Sequence, residues 1–239
     1  MCVQVRDGQP LLAGLQKNTL IDFPGRVGCV VFFTGCNFAC PYCHNPELAR
    51  GAWPQRITLR ELIDFLQPRR HLIDGVVISG GEPTLHPALP ELCRAIRRIG
   101  QAVKLDTNGS RPAVVEKLLQ DRLVDYVAMD IKTAPDHYAS PWAAPGAGAA
   151  VVESMRLLMR GTIPYEFRTT CVRPFVDTPT VAAIAGAVKG ARRYTLQTFR
   201  TVDLLHPGFF DGADPGFSPS EMAELQRVVA PFVGECLVR

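Results

Sequence analysis

The stretch Cys36-Asn37-Phe38-Ala39-Cys40-Pro41-Tyr42-Cys43 places three cysteines within eight residues. Iron–sulfur clusters are normally held by four cysteine thiolates, and a structural zinc ion is likewise closed by four Cys or His ligands. A loop that supplies three thiolates leaves one metal position open for a ligand that does not come from the protein. The residues Asn37 and Pro41 are typical of a surface turn. This cysteine loop (residues 36–43) therefore predicts an iron–sulfur cluster held by Cys36, Cys40 and Cys43.

A zinc site completed by His44 or by a distant ligand is the alternative interpretation. Zinc ligands usually come as two separate C-x2-C pairs, and the chain has no second pair, so the spacing favours iron. The remaining cysteines are expected to be small buried hydrophobes at Cys29, Cys93, Cys171 and Cys236, with Cys2 only a terminal residue.

Outward from this loop, short apolar runs alternate with helical patterns, which is typical of βα units with a parallel sheet. Six strands are predicted, at 27–33, 75–79, 102–106, 124–131, 165–171 and 194–199. Helix starts are indicated by the capping box Thr58-Leu59-Arg60-Glu61, by Thr178-Pro179 and by Ser218-Pro219-Ser220-Glu221, and a helix end by Gly100. We expect an α/β fold, a partial (β/α)6 barrel like part of a TIM barrel. It would form one domain over residues 1–239, with a core at about 25–200, an N-terminal segment at 1–24 and a C-terminal loop and helix at 201–239.

Composition narrows the possible classes of protein. The 239 residues are 47% hydrophobic and 21% charged, which is ordinary for a globular protein, and the net charge of +3 is too small to suggest a nucleic-acid surface. No apolar run reaches the roughly 18 residues of a membrane span, and the N-terminus lacks the pattern of a secretory signal. The scattered cysteines fit a reducing compartment, so we expect a cytoplasmic protein that binds neither membranes nor nucleic acid.

Polar motifs follow four successive predicted strands. They are the cysteine loop, Gly80-Gly81-Glu82-Pro83, Thr107-Asn108-Gly109 and Lys132. Because parallel strands place these loops on one face, where barrel enzymes carry their chemistry, the motifs are expected to build one site.

These motifs resemble those of a known family. The cysteine loop, with Tyr42 before its last cysteine, is similar to the signature of the radical S-adenosylmethionine (SAM) enzymes, and Gly80-Gly81-Glu82-Pro83 resembles their GGE motif. Asp106-Thr107-Asn108-Gly109 and Asp130-Ile131-Lys132 resemble motifs of the glycyl-radical-enzyme activases within that superfamily. The runs from Lys17 to Gly25 and from Cys43 to Leu48 look like the activating proteins of anaerobic ribonucleoside-triphosphate reductase.

The resemblance implies a radical SAM activase with one 4Fe-4S cluster and S-adenosylmethionine as cofactors. The three loop cysteines are the expected metal ligands and catalytic residues. Further cofactor contacts are expected from Tyr42, Gly80, Gly81, Glu82, Asp106, Asn108, Lys132, Arg168 and Gln197. Three structural alternatives stand beside these roles. They are an ordinary strand-to-helix turn at Gly80-Gly81, an ion pair of Arg168 with Asp130, and an Asx-turn in Asp106-Thr107-Asn108-Gly109.

The resemblance also implies hydrogen abstraction from a glycine of anaerobic ribonucleoside-triphosphate reductase. No cysteine lies between Pro46 and Thr58, where some activases carry further clusters, so electrons are expected from a separate flavodoxin or ferredoxin. The connections 133–149 and 201–217 are candidates for holding the partner, or for a lid. The alternative functions are a radical SAM enzyme with a small substrate, such as a carboxydeazaguanine synthase, and an iron–sulfur or zinc protein without catalysis.

Overall fold

The computed structural model describes residues 10–200, 204–210, 212 and 214–239. The chain divides into two compact units. The first comprises 10–37, Glu47–Thr107 and Ala113–Val127, and the second comprises Phe38–Pro46, Asn108–Pro112 and the described part of Ala128–Arg239. Cys2 lies outside the described residues, as do parts of the predicted N-terminal segment and of the connection 201–217.

The first unit is built on mainly parallel strands. Its strands are β1 (Pro10–Leu12), β2 (Gly14–Thr19), β3 (Gly28–Phe33), β4 (Ile57–Thr58), β5 (Gly75–Gly80) and β6 (Ala102–Thr107). Strand β2 pairs antiparallel with β3, which runs parallel to β5, and β5 runs parallel to β6. Strands β1 and β4 form a separate antiparallel pair. The centres of β3, β5 and β6 are buried, as expected of strands in a parallel sheet. They are apolar in β3 and β5, whereas β6 has Lys104 at its centre.

The helices of the first unit begin and end largely where the sequence indicates. They are α1 (Pro46–Arg50), α2 (Leu59–Leu66), α3 (Leu89–Arg98) and α4 (Pro112–Gln120). The first residues of α1 and α4 fall in the second unit. Thr58 and Glu61 form the predicted capping box of α2. Gly100 follows the end of α3 with a φ of +87°, a conformation that favours glycine, so the predicted helix stop is confirmed.

The second unit continues the same pattern. Its strands are β7 (Tyr126–Asp130, whose first two residues belong to the first unit), β8 (Tyr165–Cys171), β9 (Arg193–Thr198) and β10 (Glu235–Val238). Strand β9 is parallel to both β8 and β10. The helices are α5 (Ala147–Arg160), α6 (Thr178–Ala187) and α7 (Pro219–Val229). The capping box at Ser218 is confirmed, but the cap of α6 is Asp177, whose carboxylate accepts from the Thr180 N–H, and Thr178 is already helical.

All six predicted strands are present, with ends within two residues of their predicted positions. The sequence analysis missed β1, β2, β4 and β10. Strand β2 has three exposed polar residues in its middle, and β10 is short with half-exposed or exposed side chains, so neither shows a buried apolar run. The C-terminal region is therefore more than a loop and a helix, since it ends in a strand. The single-domain boundaries stay a prediction.

One expected loop is largely ordered structure. The connection 133–149 was predicted as a candidate for holding the partner or for a lid. Tyr138 and Trp142 within it are buried, Ala139, Ser140 and Pro141 are exposed, and α5 begins at Ala147. Gly148 packs so closely that a Cβ there would lie 2.0 Å from the Pro135 carbonyl oxygen. The buried residues therefore anchor this segment in the second unit, and its role in holding a partner or as a lid stays a prediction.

Candidate functional site

The cysteine loop leaves β3 and shares its residues between the two units, with Cys36 in the first and Cys40 and Cys43 in the second. In the first unit, the Gly35 N–H donates to the Leu48 carbonyl at 2.7 Å, and the Cys36 N–H donates to the Ala49 carbonyl at 3.1 Å. These backbone bonds fix the start of the loop without any side chain, so the half-buried Cys36 has a defined position.

The Gly80-Gly81 pair lies against the backbone that leads into Cys36. The Gly81 N–H donates to the Phe33 carbonyl at 2.9 Å, and the Glu82 N–H donates to the Gly35 carbonyl at 2.8 Å. A Cβ at Gly81 would lie 2.0 Å from the Gly35 oxygen, and one at Gly80, where φ is +120°, would lie 2.1 Å from the Phe33 oxygen. Glycine is therefore required here by contact with the protein's own backbone, and a contact of these glycines with a cofactor stays a prediction.

Glu82 and Asp106 each have structural partners in the first unit. The buried Glu82 carboxylate accepts from the Thr84 N–H at 3.0 Å and from the Thr107 hydroxyl at 2.7 Å, which caps the short 3-10 turn Pro83–Leu85. Asp106 forms an ion pair with Lys104, whose side chain is fully buried. Sequence reasoning missed Lys104, although a lysine in an apolar strand with an aspartate two residues later, on the same face, was the available signal. The cofactor roles of Glu82 and Asp106 stay predictions.

The second unit holds the rest of the cysteine loop. The Cys43 N–H donates to the Cys40 carbonyl at 3.0 Å, which closes a turn with Pro41 at its second position. Cys40 is buried, Cys43 is half-buried, and the Tyr42 ring packs 5.0 Å from that of Phe175. Burial raises the pKa of Tyr42, and its hydroxyl is buried without a hydrogen-bond partner among the described residues. An orphaned hydroxyl here is suited to a contact with a bound polar group.

Asp130 binds two cations at the end of β7. Its carboxylate accepts from Arg168 Nε at 2.7 Å and from Lys132 Nζ at 3.0 Å. Burial alone would raise the pKa of Asp130, but Arg168 and then Lys132 hold it well below its usual range. Burial would lower the pKa of Lys132, while Asp130 and then Cys40 hold it above its usual range. The ion pair of Arg168 with Asp130, considered as an alternative from the sequence, is present.

The remaining candidate residues are Asn108, Gln197 and His44. Asn108 Oδ1 accepts from the Ser110 N–H at 2.9 Å, so an Asx-turn is present at Asn108. Gln197 is half-buried near the end of β9, where its cofactor contact stays a prediction. The His44 ring packs 5.5 Å from the Phe199 ring.

The scattered cysteines are distinct from those of the loop. Cys29, Cys93 and Cys171 are fully buried, and burial raises the pKa of each thiol to about 12, so the prediction of small buried hydrophobes is confirmed for them. The prediction is wrong for Cys236, which is half-buried on β10. A thiol of such high pKa is a poor metal ligand, because the thiolate is the ligating form.

The connection 201–217 is partly described. The His206 N–H donates to the Pro41 carbonyl at 3.0 Å, which ties this segment to the cysteine loop. Phe209 is 47% exposed and its ring lies 5.7 Å from that of Phe175, while the Phe217 ring lies under the Arg173 guanidinium at 3.8 Å. The two proposed roles of this segment, holding a partner and acting as a lid, stay predictions.

The donor chemistry of the loop fits an iron–sulfur cluster, since its three cysteines are thiols within eight residues and none is in a disulfide. Over residues 10–200, 204–210, 212 and 214–239, however, no three His, Cys, Asp or Glu side chains form a group that would hold a metal ion. The ligand set, for iron or for zinc, therefore stays a prediction. The same residues contain no helix that is both long and apolar enough to cross a membrane.

Known proteins share this fold and these motifs. The radical SAM superfamily model matches residues 30–180. A Methanocaldococcus jannaschii protein, provisionally named a glycyl-radical enzyme activating enzyme, is 33% identical over 241 residues, covering 96% of this chain and 95% of that protein. A Clostridium pasteurianum pyruvate formate-lyase-activating enzyme is 35% identical over 51% of this chain and 52% of its own length. A 7-carboxy-7-deazaguanine synthase of Methanothermobacter thermautotrophicus is 34% identical over 48% of this chain and 45% of its own length.

Among solved structures, a radical SAM methyltransferase from Sphaerobacter thermophilus superimposes with a TM-score of 0.66 at 14% identity, covering 91% of this chain and 67% of that one. This likeness confirms the predicted α/β partial-barrel fold of the radical SAM type. The chain belongs to the radical SAM superfamily and, within it, to the family of glycyl-radical-enzyme activases.

Proposed function

We propose that this protein activates anaerobic ribonucleoside-triphosphate reductase by abstracting a hydrogen atom from a glycine of that enzyme. The observation that carries the activase class is the match of 33% identity along nearly the whole of both chains. The choice of reductase rests on the run from Lys17 to Gly25 and on the residues that follow Cys43. Glycine suits this chemistry because its Cα radical is delocalised over the adjoining amide groups and no side chain blocks the approach.

Cys36, Cys40 and Cys43 would hold one 4Fe-4S cluster. Together with S-adenosylmethionine, the cluster would supply a one-electron bond cleavage that yields a carbon-centred radical. The protein's own task is to bind and orient the cofactor and to exclude water. Flavodoxin or ferredoxin is the proposed electron donor, the cytoplasm the proposed compartment, and residues 1–239 the proposed single domain.

The charges around Asp130 support a site for the methionine carboxylate. Arg168 and Lys132 bring two positive charges against one carboxylate, so the trio carries a net charge of +1. The Lys132 ammonium also lies within electrostatic range of Cys40. A partly buried excess of positive charge beside the cysteine loop would attract a carboxylate ligand. Tyr42, with its unsatisfied buried hydroxyl, is the proposed contact to the nucleoside.

The experiment is anaerobic reconstitution of the chain with iron and sulfide, followed by reduction in the presence of S-adenosylmethionine. We expect formation of 5′-deoxyadenosine, and a glycyl radical signal in electron paramagnetic resonance once the reductase is added. The Cys40→Ala variant should show neither, and it serves as the control. Production of 5′-deoxyadenosine without a radical on the reductase would contradict the proposed partner, and absence of both from the wild-type chain would contradict the activity.

The second candidate is a carboxydeazaguanine synthase, because one such enzyme matches at 34% identity. That match covers less than half of each chain, whereas the activating enzyme matches over 96% and 95%, so the activase function is favoured. Turnover of a deazaguanine precursor, with no radical formed on the reductase, would reverse the choice.

A further inference from the structure

Two hydrogen bonds from backbone N–H groups tie the cysteine loop and Lys132 to the same short segment of the second unit. The Tyr138 hydroxyl oxygen accepts from the Lys132 backbone N–H at 2.7 Å. Four residues later, the Trp142 carbonyl accepts from the N–H of Ala39, the residue before Cys40, at 2.8 Å. One segment, which we call the brace (residues 138–142), thus contacts both the backbone of Lys132, whose ammonium binds Asp130, and one side of the proposed ligand loop.

Aromatic rings pack around both ends of the brace. The Phe38 ring lies 5.8 Å from the rings of both Tyr138 and Trp142, and these two rings lie 5.1 Å apart. The Trp142 ring meets Phe175 edge-on at 5.5 Å. All but Phe175 are less than a tenth exposed, so the rings are close-packed and a shift in one displaces its neighbours.

The brace is also anchored at both ends. Before it, the Thr133 hydroxyl donates to the Phe175 carbonyl at 2.7 Å. After it, Gly148 of α5 packs directly on Pro135, where a Cβ would lie 2.0 Å from the carbonyl oxygen. The buried ends of the brace, Tyr138 and Trp142, are therefore flanked by contacts within the second unit on both sides.

The hydroxyl of Tyr138 serves as the hydrogen-bond acceptor for the backbone N–H of Lys132. Lys132 lies two residues beyond the end of β7, where its N–H has left the strand, and a buried N–H without an acceptor is costly. Burial raises the pKa of Tyr138, so its hydroxyl stays protonated and its oxygen remains a neutral acceptor. A phenylalanine would fill the same volume and would leave the Lys132 N–H without this acceptor.

We propose that Tyr138 is a positioning residue that holds Lys132 and, through Trp142, the Ala39–Cys40 side of the cysteine loop in one fixed frame. The cation and the thiol then keep their spacing before the cofactors bind, so Lys132 is already placed for the methionine carboxylate. This inference rests on the proposed function, because it assigns Lys132 to S-adenosylmethionine.

The test compares Tyr138→Phe with Tyr165→Phe. Tyr165 is a matched control, since it is a buried tyrosine of the same unit whose hydroxyl accepts a backbone N–H, that of Arg192, at 3.3 Å. In the chain without iron, Tyr138→Phe should speed amide hydrogen exchange at Lys132 and leave β8 protected. After reconstitution, it should weaken S-adenosylmethionine binding about tenfold at unchanged iron content, whereas Tyr165→Phe should change neither property.

Wild-type exchange at Lys132 together with wild-type cofactor affinity in Tyr138→Phe would overturn the proposal, and so would equal losses in both variants. If Tyr138→Phe does not fold, Phe38→Leu loosens the same packing while it keeps the hydroxyl. It should weaken cofactor binding by a smaller factor, and unchanged binding would overturn the proposal. A wild-type chain that binds S-adenosylmethionine but forms no radical on the reductase would contradict the proposed function alone.

Discussion

Replacing Gly81 with alanine should destabilise the protein by roughly 3–5 kcal/mol. The new Cβ would lie 2.0 Å from the Gly35 oxygen, and ordinary contact begins at 3.4 Å, so the two backbones must separate by about 1.4 Å. Overpacking of this kind typically costs about 1–3 kcal/mol. The separation also stretches the bonds from Gly81 to Phe33 and from Glu82 to Gly35, each worth about 1 kcal/mol.

Urea denaturation of the chain without iron, followed by circular dichroism, measures the free energy of unfolding. Gly186→Ala is the control, because Gly186 is an exposed residue of α6 with no atom within 4 Å of its added Cβ. That variant should be as stable as the wild type or more stable by about 0.5–1 kcal/mol. Because Gly35 precedes Cys36, Gly81→Ala should also lower the iron content after reconstitution. A free energy of unfolding within 1 kcal/mol of the wild-type value would refute the reasoning.

Three further predictions follow from the second unit and the cysteines. Asp130→Asn leaves its two cations without their carboxylate and should cost about 3 kcal/mol in urea denaturation at pH 7. The folded-state pKa of Asp130 lies below its unfolded value of about 3.9, so the stabilisation by Asp130 is complete above that pH. It is lost as the pH falls through the folded pKa. The wild type and Asp130→Asn should therefore become equally stable only in strong acid. Changing both Phe209 and Phe210 to alanine should preserve 5′-deoxyadenosine formation and suppress the glycyl radical on the reductase, as measured by electron paramagnetic resonance. Equal loss of the two activities would indicate a lid, and loss of neither activity would exclude a role for this segment. Cys93→Ala should keep the cluster at a packing cost of about 1 kcal/mol, whereas Cys40→Ala should lose it, and a fully active Cys40→Ala protein would disprove the cluster.

The sequence predicts six strands because most of them are rich in apolar, β-branched or aromatic residues, although β8 and β9 also carry polar residues such as Glu166, Arg168 and Gln197. Strand β2 could not be found in this way, since Gln16, Lys17 and Asn18 at its centre are exposed on the strand. Its pairing with β3 is a tertiary contact, which cannot be predicted from the local pattern of residues. The short β10 is hidden for the same reason.

For the candidate site, the sequence predicts those parts whose residues lie close together along the chain. The cysteine loop and the Gly80-Gly81 pair are continuous motifs, and both lie at strand ends as expected. The contact of Tyr138 with Lys132 was not predictable, because it depends on how the chain folds back after β7. The ion pair of Asp106 with Lys104, two residues away, could have been predicted from the sequence. It was missed because Asp106 was interpreted only through its resemblance to a family motif.

The two backbone bonds that fix the start of the cysteine loop have a consequence for survival in air. Gly35 and Cys36 donate to the carbonyls of Leu48 and Ala49, and neither bond involves a thiol. Oxygen that destroys a bound cluster would therefore leave these bonds intact, and with them the start of the loop. The first residues of the loop would thus stay in place for a new cluster, and rebuilding it from iron and sulfide would require only that the three thiols are reduced.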